Sequence, residues 1–151
     1  HLQKTMTEIN QAHPDVRAVI SVNKGLVTQA SAAIPVVPLY FAILYKVMKK
    51  AGNHENCIQQ IARLFTQKLY TSEGFLTDEN GFIRMDDYEL TPEIQEEVKK
   101  CWEAVTTDTV NEYCDIDGYW EDFYHMFGFR YEDIDYTQDV DADVEIDGII
   151  I

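Results

Sequence analysis

Cysteine is scarce in this chain of 151 residues, and its three cysteines lie far apart. Because Cys57, Cys101 and Cys114 are odd in number, we expect reduced thiols and not a framework of disulfides. The first residues also lack the basic start, short apolar run and small-residue cleavage site of a secretory signal peptide. These absences predict an intracellular chain that resides in the cytoplasm.

The sequence also lacks the motifs on which many catalytic and metal sites are built. No histidine has a second histidine at helical spacing and CxxC is absent, so no metal site is predicted. The missing GxSxG, Walker lysine and GxGxxG motifs exclude a serine hydrolase or a phosphate-binding loop within this segment. The acids from Asp139 to Asp147 lack the sixth-position glycine and the closing glutamate of a calcium loop.

Clusters of basic residues are missing as well, and the net charge is -15. Residues 1–70 hold eight lysines and arginines against three acids, so the rest of the chain carries -20. Nucleic acid is not an expected partner, because neutralising its phosphates requires clustered Lys and Arg. The basic first part suits either an anionic ligand or an ordinary solvated surface.

Residues 25–45 contain no charged side chain. Pro35 and Pro38 interrupt this run and polar residues dilute it, so we expect no membrane span. The part from about Pro38 to Lys50 predicts a helix, with a proline in its first turn and Gly52 just past its end. Because this helix is apolar nearly all round, it should be deeply buried or line an apolar cavity.

The rest of the pattern predicts further helices and a few strands. Val16–Val22 is rich in β-branched residues and predicts a short buried strand. Asn80-Gly81, flanked by apolar pairs, predicts a small β-hairpin. The predicted helices, apart from the apolar one, are HLQKTMTEINQ at the start, Asn53 to about Tyr70 as the second arm of a helix hairpin, Thr91 to about Ala104, and two shorter ones of which the last is Tyr119–Phe127. DVDADVEIDGIII alternates acidic and apolar residues, which suits a strand.

A short strand, a loop and an apolar helix hairpin are typical of the late part of a nucleotide-binding α/β fold. Ligands in such folds bind beyond the carboxyl ends of the strands. The loop NKGLVT would then offer free backbone groups at Gly25 and Leu26 and a hydroxyl at Thr28. An ordinary strand-to-helix connection fits the same pattern and stays open.

Four stretches resemble, in order, the carboxy-terminal part of the trans-2-enoyl-CoA and enoyl-acyl-carrier-protein reductases. They are SVNKGLVTQASAAIPVVPLY, KVMKKAGNHENCIQQIARLF, RMDDYEL and GFRYEDIDYTQDVD. These enzymes form the long, monomeric branch of the short-chain dehydrogenase-like reductases. The resemblance runs from His1 to about Val144. Asp133 stands where the family usually has glycine, and the final EIDGIII follows no family pattern.

The resemblance implies an α/β fold, the carboxy-terminal part of a Rossmann-type reductase. This fragment would be mostly α-helical, with one or two core strands and a small β-hairpin. The family oxidises NADH to saturate the C2=C3 bond of enoyl thioesters in fatty acid or short-chain acyl-CoA metabolism. In the family a tyrosine polarises the thioester carbonyl and a lysine supports it. Both should lie upstream of His1, so this chain has no catalytic residues and should be inactive alone. Tyr40 and Lys49 have a similar spacing but belong to the later helix.

Position by position, the resemblance places Leu26 and Thr28 at the nicotinamide, with Gly25 in the same loop. Val37, Phe41 and Tyr45 lie four apart on one helix face and should wall the acyl pocket. Tyr119 resembles a family position near that pocket. Two plainer roles stay open, since Thr28 can simply cap the next segment and the pocket residues can simply be core.

The resemblance also divides the chain and suggests its partners. Residues 1–34 would end the Rossmann core with the cofactor loop, 35–70 form the pocket hairpin, and 71–151 form a helical, acidic segment. The substrate would be an enoyl-CoA or enoyl-acyl-carrier-protein. The family's flavin label finds no flavin motif here. The parent would be a monomer, although the fragment could self-associate. A non-catalytic acidic binding or interaction module is the alternative.

Overall fold

The computed structural model describes residues 1–72 and 74–140, which form a mainly helical chain with one small sheet. The helices are α1 (Leu2–Ala12), α2 (Gln29–Ala32), α3 (Val37–Ala51), α4 (Cys57–Arg63), α5 (Pro92–Ala104), α6 (Val110–Tyr113) and α7 (Ile116–His125), and the strands are β1 (Ile20–Val22) and β2 (Phe82–Arg84). α4 continues directly into a π-helix at Leu64–Leu69. The predicted strand from Asp139 onward falls mostly outside the described residues.

The two strands pair in parallel, with Ile20 opposite Phe82 and Val22 opposite Arg84. An extended segment before the NKGLVT loop is thus confirmed, although β1 is shorter than the predicted Val16–Val22. The small β-hairpin predicted around Asn80-Gly81 is wrong. A tight turn does form there, since the Gly81 N–H donates to the Asp78 carbonyl and Gly81 has φ +79°.

The side chain of Asp78 explains why this turn does not extend into a hairpin. Its Oδ1 accepts the N–H groups of Asn80 and Phe82, each at 2.9 Å. A single backbone bond, from the Asp78 N–H to the Phe82 carbonyl, crosses the turn. β2 then pairs with β1, which is distant in sequence, and the Met85 N–H extends that pairing by donating to the Val22 carbonyl.

α3 is the centre of the core, as its apolar composition predicts. Its buried residues are Phe41, Ala42, Ile43, Leu44, Tyr45, Val47 and Met48. It packs against Ile94 and Val98 of α5, Tyr119 of α7 and Val27 of the preceding loop. Gly52 ends it in the left-handed conformation at φ +76°. Among the described residues, no helix is long and apolar enough to cross a membrane.

α4 begins later than predicted, because Asn56 and not Asn53 caps it. The Asn56 side chain accepts the Gln59 N–H, and the Gln59 side chain accepts the Asn56 N–H in return. The apolar side predicted for this helix, represented by Ile58 and Phe65, is about half exposed in the described chain. Its buried residues are instead polar, Gln60 and Arg63. This segment therefore attaches to the rest through polar contacts.

Candidate functional site

The 23–28 loop lies at the carboxyl end of β1 and passes closely over α3. Gly25 marks the closest approach, since a Cβ there would stand 2.6 Å from Cε1 of Phe41 and 3.3 Å from Cδ2 of Leu44. Any side chain at this position would collide with the core. The glycine is therefore required by packing and not by an unusual backbone angle.

Side chains from two other elements hold the backbone of this loop. The Gly25 N–H donates to Oε2 of Glu89 at 2.6 Å, and the Val27 N–H donates to the hydroxyl of Tyr45 at 2.9 Å. The predicted free amide at Gly25 is therefore wrong. The Leu26 carbonyl accepts from Ser31, whereas the Leu26 N–H has no partner in the part of the chain that the structure describes. A role of that N–H as a donor to a ligand stays a prediction.

Thr28 is the N-cap of the short helix α2. Its Oγ1 accepts the Ser31 N–H at 3.1 Å, and Oγ of Ser31 accepts the Thr28 N–H at 2.8 Å. The capping role considered from the sequence is thus present. It does not exclude a ligand, because the hydroxyl oxygen has a second lone pair and its residue is only half-buried. Contact between Thr28 and a cofactor stays a prediction.

Lys24 is almost fully buried, with 3% of its surface exposed. Its Nζ donates to the Gly25 carbonyl at 3.2 Å and lies 4.8 Å from the centre of the Tyr45 ring. Burial lowers the pKa of Lys24 to about 8, and the nearby carboxylate of Glu89 opposes part of that shift. The sequence carries no signal of this burial, because a lysine in a loop is normally exposed.

The buried Lys24 makes stability depend on pH. Its pKa falls from 10.5 in the unfolded chain to about 8 in the folded one, so between these values the unfolded chain holds the extra proton. The free energy of unfolding should therefore gain roughly 2 kcal/mol from this group between pH 7 and 10. Lys24→Met should lose that gain in urea titrations followed by circular dichroism. The exposed Lys100→Met is the matched control, and parallel profiles for wild type and Lys24→Met would contradict the argument.

Glu89 is a buried carboxylate that the sequence analysis did not single out. Besides the Gly25 N–H, it accepts the hydroxyl of Tyr40 on Oε1 at 2.6 Å. Burial, followed by this hydrogen bond, raises the pKa of Tyr40 to about 12. Glu89 belongs to the RMDDYEL stretch, but its partners lie 64 and 49 residues away. Spacing along the chain could not have found them.

The structure divides the four predicted pocket residues between two places. The rings of Phe41 and Tyr45 stack with their centres 6.2 Å apart, and both contact the 23–28 loop. Val37 is half-buried against the same core. Tyr119 lies at an apolar cleft of about 200 Å³, lined by Pro38, Leu39, Ala42, Val110, Cys114, Ile116, Tyr119 and Trp120. All four belong to or pack on one hydrophobic cluster, so the plainer core role is present for each.

A second buried polar group joins α4 to the end of β2. Arg63 donates to Oε1 of Glu55 at 2.7 Å and to the Met85 carbonyl at 2.9 Å, and it pairs with Asp87 at 2.9 Å. Nearby, Nε2 of His54 lies 2.9 Å from Oδ2 of Asp122. These contacts hold α4 against the end of β2, and the connection between α3 and α4 against α7. Within residues 1–72 and 74–140, no cluster of three or more His, Cys, Asp or Glu could hold a metal ion.

Tyr40 and Lys49 of α3, whose spacing is similar to that of the family's tyrosine and lysine, have different partners in the structure. Tyr40 is bound to Glu89, and Lys49 pairs with Asp115 at 2.7 Å. The exclusion of Tyr40 and Lys49 as a catalytic pair stays a prediction. The Leu26 N–H and the Thr28 hydroxyl stay predicted ligand contacts, whereas Phe41 and Tyr45 of α3 are buried.

Two family models match consecutive parts of the chain. The trans-2-enoyl-CoA reductase catalytic region matches residues 1–70, and the enoyl reductase FAD binding domain matches residues 77–140. An enoyl-[acyl-carrier-protein] reductase [NADH] of Flavobacterium psychrophilum is 47% identical over 99% of this chain and 38% of its own length. A trans-2-enoyl-CoA reductase [NADH] of Ruminiclostridium cellulolyticum is 46% identical over 98% of this chain and 38% of its own.

Solved structures give the same result. The Treponema denticola trans-2-enoyl-CoA reductase in complex with NAD shares 47% identity, with a TM-score of 0.83 over 93% of this chain and 35% of that one. The Clostridium acetobutulicum enzyme in complex with NAD shares 45% identity, with a TM-score of 0.81. The chain spans about 38% of the length of the curated relatives it matches. Over nearly its whole length the chain is similar to a segment of the trans-2-enoyl-CoA and enoyl-[acyl-carrier-protein] reductases, and its fold is that of part of an α/β reductase.

Proposed function

We propose that the full-length protein containing this segment is an NADH-dependent reductase of trans-2-enoyl thioesters. The segment's part is to position the nicotinamide through the 23–28 loop and the acyl chain through α3. The Leu26 N–H at the carboxyl end of β1, for which residues 1–72 and 74–140 supply no acceptor, is the observation that supports this most. It stands where dinucleotides bind in α/β folds, and the relatives' names and solved complexes specify NADH or NAD.

The residues of the loop fit a nicotinamide carboxamide. The Leu26 N–H can donate to the carboxamide oxygen, and the second lone pair of the Thr28 hydroxyl can accept from its nitrogen. When bound, NADH would supply a hydride to C3, and the C2=C3 bond would be saturated once C2 also takes a proton. Gly25 lets the loop pack closely on Phe41 and Leu44 of α3. We place the polarising tyrosine and its lysine in the part of the relatives that this chain does not span.

The acyl chain is proposed to lie against α3. The half-buried Val37 and the cleft beside Tyr119 would contact the acyl chain, and Phe41 and Tyr45, which are buried under the 23–28 loop, would support that wall from inside the core. An apolar wall excludes water from the reacting carbon atoms. The relatives' names include both CoA and carrier-protein thioesters. The proposed contacts of α3 are with the acyl part that the two share.

The assay that tests this function is NADH oxidation with crotonyl-CoA. The full-length protein should turn over and the 151-residue chain alone should not. Thr28→Val in the full-length protein should raise KM for NADH about tenfold by removing one hydrogen bond, with KM for crotonyl-CoA nearly unchanged. Thr28→Ser keeps the hydroxyl and the helix cap and should behave as wild type. An inactive full-length protein would overturn the proposed function, and a Thr28→Val enzyme with wild-type KM would remove Thr28 from the site.

The remaining expectations are also proposals. A cytoplasmic location is supported by the three cysteines, all of which are unpaired. A boundary near residue 70 between the pocket hairpin and the acidic segment is supported by the two family matches, one of which ends at residue 70 while the other begins at residue 77. Although one of these is described as an FAD-binding domain, we follow the relatives and assign NADH alone. Light scattering should show a monomeric parent, and any self-association should be confined to the isolated chain.

A further inference from the structure

We infer that Glu89 is a positioning residue that sets the height of the 23–28 loop above α3, and thereby the affinity for the cofactor. The inference rests on the proposed function. Its carboxylate joins the 23–28 loop and α3 to the turn between β2 and α5. One oxygen holds the loop at the Gly25 N–H, the other holds α3 at the Tyr40 hydroxyl, and both distances are 2.6 Å.

The position of Glu89 is itself well fixed. It lies in the turn between β2 and α5 and is 7% exposed. Its carbonyl accepts from Nε2 of Gln95 at 2.9 Å, and the Leu90 N–H donates to the Asp86 carbonyl in the same turn. Asp86 is paired with Arg84 at 2.5 Å. A carboxylate on such a support has little freedom, so it transmits the position of the β2–α5 turn to the loop.

The charge of Glu89 matters as well as its shape. Both of its partners are donors, and a carboxylate accepts from two donors at once. Such charge-assisted bonds are about twice as strong as neutral ones. The negative charge of Glu89 also opposes part of the fall in the pKa of the buried Lys24, more than any other neighbouring charge does. A glutamine could accept the Gly25 N–H with its oxygen, but its NH2 group could only donate to the Tyr40 oxygen, so both bonds would be neutral and the Tyr40 hydroxyl proton would lose its acceptor.

Holding Gly25 has a direct consequence for the proposed cofactor contact. Glu89 accepts the Gly25 N–H and Tyr45 accepts the Val27 N–H, so hydrogen bonds hold both neighbours of Leu26. The Leu26 N–H between them is left without a partner among the described residues. Without its bond to Glu89, the backbone at Gly25 is free to rotate. The Leu26 N–H is then no longer held in position to donate to the nicotinamide.

The test compares Glu89→Gln with Tyr40→Phe in the full-length protein. Glu89→Gln should raise KM for NADH on the order of tenfold, while kcat at saturating NADH and KM for crotonyl-CoA stay within about twofold. Tyr40→Phe keeps the bond to Gly25 and should change KM for NADH less than about threefold. Glu89→Asp, which is one methylene too short to reach both partners, should fall between the wild type and Glu89→Gln.

Several results would overturn the inference. They are an unchanged KM for NADH in a folded Glu89→Gln enzyme, a loss confined to kcat, and an equal effect of Tyr40→Phe. If Glu89→Gln fails to fold, Glu89→Asp decides by the same criterion. Should wild type not turn over crotonyl-CoA, the proposed function fails first. Calorimetry with NADH alone then decides the inference, since weaker binding by Glu89→Gln supports it, whereas equal or absent binding rejects it.

Discussion

In the full-length protein, Gly25→Val should lower kcat/KM at least about 100-fold, because a displacement of about 1 Å at a reacting centre costs that much. A Cβ at this position would already lie 2.6 Å from Cε1 and 3.1 Å from Cδ1 of Phe41. Phe41 cannot easily move aside, since its ring is buried and stacked on the fully buried Tyr45. The loop must therefore rise, and the Leu26 N–H and Thr28 rise with it.

The matched control for this substitution is Gly52→Ala. Gly52 has φ +76°, which a side chain tolerates poorly, but no atom lies within 4 Å of its added Cβ. Gly52→Ala should cost about 1 kcal/mol of stability and leave kcat/KM within about twofold. Steady-state kinetics and thermal melting of both variants separate the two effects. A Gly25→Val enzyme that keeps more than about a third of the wild-type kcat/KM would contradict the close-packed loop.

Arg63→Met should lower the free energy of unfolding by about 3–5 kcal/mol, as expected when one partner of a buried charge pair is removed. The Arg63 guanidinium is 6% exposed and binds Glu55, Asp87 and the Met85 carbonyl. It also lies 4.2 Å above the centre of the Tyr88 ring. Without it, Glu55 keeps a largely buried negative charge with no partner among the described residues, and β2 loses its link to α4.

Urea unfolding followed by circular dichroism measures this loss. Lys100→Met is the control, because its ion pair with Glu97 lies at the exposed surface. Such pairs contribute less than about 1 kcal/mol, so this variant should unfold close to wild type. If the free energies of unfolding of Arg63→Met and Lys100→Met lie within about 1 kcal/mol of each other, the buried contacts of Arg63 contribute little to stability.

The features that could be predicted from the sequence are those governed by neighbouring residues. α3 follows from an uninterrupted apolar composition, and its end follows from Gly52. α5 begins at Pro92 because a proline suits the first helical turn. The tight turn at Gly81 was also correctly expected. Each of these depends on interactions within a few residues.

The features that escaped prediction depend on distant contacts. β2 pairs with β1 and not with the residues just before the turn, because the Asp78 side chain already accepts the Phe82 N–H. The Gly25 amide is not free, because Glu89 folds back from 64 residues away. Lys24 is buried although lysines in loops rarely are. The location of the 23–28 loop was thus predictable, whereas the side chains that hold it were not.

A crystal structure of the full-length protein with NAD bound is the most direct test of the central claim. We expect the nicotinamide carboxamide within hydrogen-bond distance of the Leu26 N–H and the Thr28 hydroxyl, with the Gly25 N–H still on Glu89. A nicotinamide bound against a different element, with the 23–28 loop empty, would contradict it.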